Sequence, residues 1–228
     1  MCEEQWAAVD QLLTERLVRP DAALDAALAA NRAAALPAID VSAPQGKFLR
    51  VLAESLRAQR ILEIGTLGGY STIWLAQALP ATGRLISLEY EPRHAEVARA
   101  NIARAGLTGV VEIRVGKALD LLPQIEAENL GPFDLVFIDA DKVNTAAYFD
   151  WALRLTRLGS VILVDNIVRK GAILDPHSED ANVQAMRGFI DKLGSTPGVC
   201  ATALQTVGGK GYDGMILALV TGERPRGA

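Results

Sequence analysis

Apolar residues return every three or four positions near the start of the chain. Trp6, Val9, Leu13 and Leu17 mark one such stripe, which predicts a helix. Residues 3–35 read as two helices, with Pro20-Asp21 breaking the first before an alanine-rich second. Pro37 and Pro44 bracket a short linker. Residues 45–58 then predict a further helix carrying Phe48, Leu49, Leu52 and Leu56 on one face.

From residue 60 the pattern changes to short apolar runs alternating with amphipathic stretches. The runs predict strands at 60–64, 84–89, 110–115, 134–139 and 160–165, and the stretches predict helices at 71–79, 93–105, 117–127 and 144–157. LVFI (135–138) and VILV (161–164) contain no polar residue, as expected of strands buried on both faces of a parallel sheet. The alternation predicts a doubly wound α/β fold. The rhythm then breaks: a helix at 181–193 precedes two apolar runs, 201–207 and 215–220, joined by a glycine-rich turn. A parallel crossover needs about a dozen residues or more, so these last strands are read as an antiparallel hairpin.

The 228 residues suit one α/β domain, and half of them are apolar, enough for a core that needs no disulfide. The formal net charge of −4, with both signs interspersed, argues against general binding to a nucleic-acid backbone while leaving room for a local basic patch. Cys2 and Cys200 sit in no metal or redox motif and read as free thiols of a reducing compartment. No secretory signal and no membrane-length apolar run is recognisable, so a soluble cytoplasmic protein is expected.

Candidate chemistry sits at the ends of the strands. Gly65-Thr66-Leu67-Gly68-Gly69 follows the first strand and leads into a helix, letting the backbone turn sharply and a ligand approach the main chain. A dinucleotide fold would want GxGxxG; the spacing here is GxxGG, and Glu63 before it suits a ligand bearing an ammonium and a sulfonium group. Glu89 ends the second strand, where an acid accepts hydrogen bonds from ribose hydroxyls. Together they point to an adenosine-containing ligand.

IDADK (138–142) and VDN (164–166) close two later strands. If those strands are neighbours, Asp139, Asp165 and Asn166 converge as hard oxygen donors suited to Mg²⁺, Mn²⁺ or Ca²⁺. The plainer alternative is that each caps the following turn or helix. Lys142 is either a solvated surface lysine or a general base beside that centre. His94 and His177 read as surface residues without partners.

These residues carry a resemblance. EIGTLGGYS (63–71), FDLVFIDADKVN (133–144), VILVDN (161–166) and GYDGMILAL (211–219) resemble the caffeoyl-CoA and catechol O-methyltransferase family, over about residues 40 to 220. The resemblance implies the mostly parallel seven-stranded sheet of class I methyltransferases, with a terminal antiparallel hairpin and N-terminal cap helices over the substrate. It implies one domain, with cap helices at 1–58, an S-adenosylmethionine-binding core at 59–220 and a tail at 221–228, assembled as a homodimer.

Carried over to this chain, the resemblance assigns Glu63, Gly65, Thr66, Ser71, Asp139 and the backbone at Val41 to the cofactor, mainly its methionine part. Glu89 would hold the ribose, Ala118 would lie by the adenine, and Asp141 would bind near the amino end. Asp139, Asp165 and Asn166 would hold the metal, with Asp139 and Lys142 catalytic and Lys142 the base. The implied reaction moves a methyl group to one oxygen of a vicinal aromatic diol. Thr145, Arg169 and Ile190 depart from residues common in the family (an aromatic, Trp and Asn), and Arg169 and Ile190 lie in segments that help shape the acceptor pocket in relatives. A tRNA hydroxyuridine stays open as an alternative acceptor through Arg169-Lys170. A nicotinamide-dependent reductase is disfavoured by the GxxGG spacing and the hairpin, and a non-catalytic binder by the intact Asp139, Lys142, Asp165 and Asn166.

Overall fold

The computed structural model describes residues 3–19 and 21–222; Cys2, Pro20 and residues 223–228 of the expected tail lie outside the described residues. Three helices come first: α1 (Glu3–Leu17), α2 (Ala22–Ala33) and α3 (Ala43–Ser55). Asp21 caps α2 by accepting the Ala23 and Leu24 N–H groups at 2.9 and 3.1 Å. Helix α3 starts two residues before the expected 45. Ser42 caps it and Pro44 sits in its first turn, where a missing N–H costs nothing, so Pro44 opens the helix rather than closing the linker.

The alternating part follows as β1 (Arg60–Ile64), α4 (Tyr70–Ala76), β2 (Arg84–Glu89), α5 (Pro92–Arg104), β3 (Val111–Val115), α6 (Ala118–Ala127), β4 (Phe133–Ile138), α7 (Thr145–Arg154) and β5 (Thr156–Asp165). Helix α8 (Ala181–Gly194) leads to the hairpin of β6 (Val199–Gly208) and β7 (Gly211–Val220). The seven strands lie in the order β3-β2-β1-β4-β5-β7-β6, the first five parallel and the last two antiparallel. Helix α7 ends three residues before the expected 157, because Thr156 pairs with Phe133 beyond an irregularity in the β4–β5 register.

Successive strand residues point to opposite faces, so both faces of the central strands are apolar. Leu135 and Phe137 pack with Leu49 of α3 and Ile73 of α4 on one side. Val136 and Ile138 pack with Leu122 of α6, Phe149 of α7 and Phe189 of α8 on the other. The stripe on α1 behaves differently. None of its residues is buried, and Val9, Leu13 and Leu17 are 50%, 44% and 66% exposed. The helix lies on the outside of the hairpin and of α3.

The chain reverses its direction of travel across the sheet between β1 and β4. That switch point sets the carboxyl ends of β1, β2, β4 and β5 along one edge, where ligands of such sheets bind. Among the described residues no helix is long and apolar enough to cross a membrane.

Candidate functional site

A cavity of about 820 Å³ opens at that edge, within the size range of small-molecule sites. Its wall includes Val41, Gly65, Thr66, Ser71, Glu89, Ala118, Asp139, Asp141, Lys142 and Asn166. Two other expected site residues stand behind the wall: Glu63 and Asp165 are buried and do not line the cavity. From the N-terminal region the wall takes Ile39, Asp40 and Val41 of the linker and no residue of α1 or α2.

Gly65 has φ +101°, and a Cβ there would lie 2.1 Å from the carbonyl oxygen of Asp139. Glycine is required because β1 and β4 end side by side, with Asp139 N–H donating to the Ile64 carbonyl at 2.9 Å. At Gly68 a Cβ would strike Asn31 of α2, which donates to Asp40 at 2.8 Å and accepts from Asn101 at 3.0 Å.

The loop is held open by Glu89. One oxygen of that carboxylate accepts the N–H groups of Thr66 and Leu67 at 3.1 and 2.8 Å, and the other accepts that of Glu91 at 2.9 Å. A carboxylate oxygen has two lone pairs, so the second oxygen keeps capacity for one further donor. Nδ1 of His94 lies 3.4 Å from it. His94 therefore lines the cavity beside Glu89 and is not the partnerless surface residue expected; its position in the first turn of α5, after the β2 acid, was the available signal. His177 is exposed, as expected.

Glu63 accepts from Ser71 and Ser87, each at 2.6 Å, and from Thr72 at 2.5 Å. Burial, opposed by these three hydroxyls, raises its carboxyl to about 7, and the nearby charge of Asp139 adds to the rise. Glu63 reaches the cavity through Ser71.

At the β4 and β5 ends, Lys142 Nζ lies 3.0 Å from Asp139 Oδ1, and Lys142 is buried. Asp165 accepts from Gln45 of α3 at 2.5 Å and from the Asn166 N–H at 2.8 Å. Burial, and after it the charge of Asp139, pushes Asp165 up to about 7. Asn166 is in the left-handed region at φ +57° and lines the cavity. Asp141 accepts from Asn144 at 2.6 Å and from the hydroxyl of Tyr148, whose own ionisation is suppressed by burial and by this bond.

Two mutually repelling carboxylates and an amide make a donor set that a hard cation would relieve. Among the described residues no group of three or more His, Cys, Asp or Glu that could hold a metal ion is found. Gln45 was missed by sequence reasoning, since nothing local marks a helix glutamine as the partner of a distant acid. Of the three departures, Arg169 lines the cavity, while Thr145 is buried and Ile190 packs against the core.

The family model described as O-methyltransferase matches residues 22–220. A catechol O-methyltransferase of Mycobacterium tuberculosis is 58% identical over 212 residues, covering 93% of this chain and 94% of that protein. A catechol O-methyltransferase of Niastella koreensis is 53% identical over 220 residues, covering 96% and 100%. The crystal structure of an O-methyltransferase from Bacillus cereus in complex with SAH superposes with a TM-score of 0.95 at 54% identity, covering 96% of this chain and all of that one.

Proposed function

The chain belongs to the O-methyltransferase family, and on that premise we propose that it moves the methyl group of S-adenosylmethionine to one hydroxyl of a vicinal dihydroxy aromatic small molecule, with a divalent cation at Asp139, Asp165 and Asn166. The observation that carries the reading is the meeting of Asp139, Lys142 and Asn166 with the glycine loop in the wall of one cavity. Relatives named for catechol methylation, and a neighbour that holds SAH, support the donor and the acceptor.

In this reading Gly65, Thr66, Ser71 and the backbone at Val41 face the methionine part of the donor. Glu89 serves the ribose, Ala118 the adenine and Asp141 the amino end. A donor ammonium or sulfonium near Ser71 also favours the charged form of Glu63 behind it. A phenol with an ordinary midpoint near ~10 resists ionisation at pH 7 by about 4 kcal/mol. Mg²⁺, or Mn²⁺ or Ca²⁺ in its place, would supply charge stabilisation for the developing oxyanion. Lys142, as the neutral amine after its own proton has passed to solvent, takes the hydroxyl proton on Nζ. The oxygen then displaces S-adenosylhomocysteine from the methyl group, and the cavity contributes by holding oxygen, carbon and sulfur in line.

The reading carries one domain through residue 220, a cytoplasmic setting in keeping with the free thiol Cys200, and a homodimer. Exposed Val9, Leu12 and Leu13 of α1 and Leu204 and Val207 of β6, on elements that touch, support a second copy as the cover for that face.

The test is transfer of labelled methyl to catechols, caffeoyl-CoA, flavonoids and bulk tRNA, with Mg²⁺ and with excess chelator. Label is expected in catechols only when Mg²⁺ is present, and Asp139→Ala should abolish turnover while donor binding largely persists. Full activity in chelator would remove the cation, and label in tRNA alone would replace the acceptor.

A further inference from the structure

We infer that the acceptor carries an anionic group, a carboxylate on the aromatic diol, which Arg169 recognises; the inference rests on the diol reading above. Arg169 is half-buried in the cavity wall, three residues beyond Asn166. Arg169 and Asn166 therefore line the same cavity from one short segment of chain.

The other charges of the wall are either matched or exposed. Asp139 pairs with Lys142, Asp141 accepts from Asn144 and Tyr148, Glu89 accepts backbone N–H groups, and Asp40 accepts from Asn31. Glu91 and Lys117 face solvent. Among the described residues the Arg169 guanidinium has no carboxylate within ion-pair distance and donates to no protein acceptor. Asp180 forms no ion pair with it; Oδ1 of that acid accepts from the N–H and the side-chain amide of Asn182, at 2.8 and 3.0 Å.

The backbone around Arg169 is built for one position. Arg169 and Lys170 both adopt left-handed conformations, φ +54° and +56°, which non-glycine residues rarely hold in succession. Asp213 fixes the entry to this segment by accepting the N–H groups of Val168 and Arg169 at 2.9 and 3.1 Å. Gly214 permits the close approach, because a Cβ there would lie 2.6 Å from both the Leu204 carbonyl oxygen and Val168 Cγ2. Strain held this way at a cavity wall is characteristic of functional positions.

A guanidinium stays charged at any physiological pH and presents a planar fork of donors that fits a carboxylate bidentately. The chemistry therefore favours a benzene-1,2-diol with a carboxylate on or beyond the ring, such as a dihydroxybenzoate or a dihydroxycinnamate. A nucleic-acid strand would call for many basic side chains rather than one in a wall of mixed charge.

The experiment compares kcat/KM for 3,4-dihydroxybenzoate and its uncharged amide, which keeps the size and shape of the substituent, at saturating S-adenosylmethionine and Mg²⁺. The native protein should prefer the acid by on the order of tenfold or more, as expected for a charge-assisted hydrogen-bonded pair. Arg169→Gln should bring the ratio close to one, and Arg169→Lys should keep part of it. Equal rates for acid and amide in the native protein would overturn the inference and leave the diol reading standing. Methylation of neither diol would overturn both. An Arg169→Gln protein with an unchanged ratio and a raised KM for S-adenosylmethionine would assign the guanidinium to the donor's carboxylate and overturn the inference as well.

Discussion

Replacing Glu63 with glutamine removes one ionisable proton from the centre of the fold while keeping the shape of the side chain. The native carboxyl is fully buried and is raised from 4.5 to about 7, because burial outweighs the hydrogen bonds from Ser71, Ser87 and Thr72. An acid whose midpoint is higher folded than unfolded gives its full stability below the unfolded value and loses it as pH rises through the folded one. At about 1.4 kcal/mol per pH unit, the native protein should lose roughly 2 to 3 kcal/mol through this group between pH 5 and pH 9. Glutamine has no such dependence.

The assay is reversible urea unfolding followed by circular dichroism at both pH values, on ligand-free protein in chelator. Asp165, also pushed up to about 7, is present in both proteins and cancels in the difference. The stability of Glu63→Gln relative to native should rise by about 2 to 3 kcal/mol from pH 5 to pH 9. Parallel pH profiles, within about 0.5 kcal/mol of each other, would show that the three hydroxyls hold the carboxylate charged and that the reasoning from burial is wrong.

Gly65→Ala places a methyl group 2.1 Å from the Asp139 carbonyl oxygen at a positive φ, so it should cost about 1 to 3 kcal/mol and lower donor affinity measured by calorimetry; native-like affinity would show that the β4 end yields freely. Glu89→Gln turns an amide N–H₂ towards either the Glu91 N–H or the loop N–H groups of Thr66 and Leu67. It should therefore destabilise by about 1 to 3 kcal/mol and weaken binding of adenosine-containing ligands, with chemical denaturation and equilibrium dialysis as the measurements.

Five strands and the terminal hairpin were legible because their signals are local. A change from amphipathic stretches to short apolar runs depends only on near neighbours, and β1 and β2 fall where the pattern predicts them. Gly65, Glu89, Asp139 and Asn166 were legible for a second reason. In a doubly wound sheet the carboxyl ends of parallel strands share one edge, so residues at strand ends meet without any knowledge of packing. The sheet edges were harder: Gly211–Gly214 look unlike a strand and are ordered by pairing with Gln205–Gly208 across the hairpin.

The sequence by itself thus determined the alternating architecture, the glycine turn and the set of acids at the strand ends. Tertiary structure alone decided how those groups are held and charged. Gln45 meets Asp165 across 120 positions of chain, Asp213 sets the backbone of Arg169, and His94 turns into the wall beside Glu89. Burial raises Glu63 and Asp165, while the periodic stripe of α1 is left facing outward. The physical reason is the same in each case. Periodicity records which side of an element is apolar, but a charge is set by desolvation and by partners that only the packed chain brings within a few ångströms.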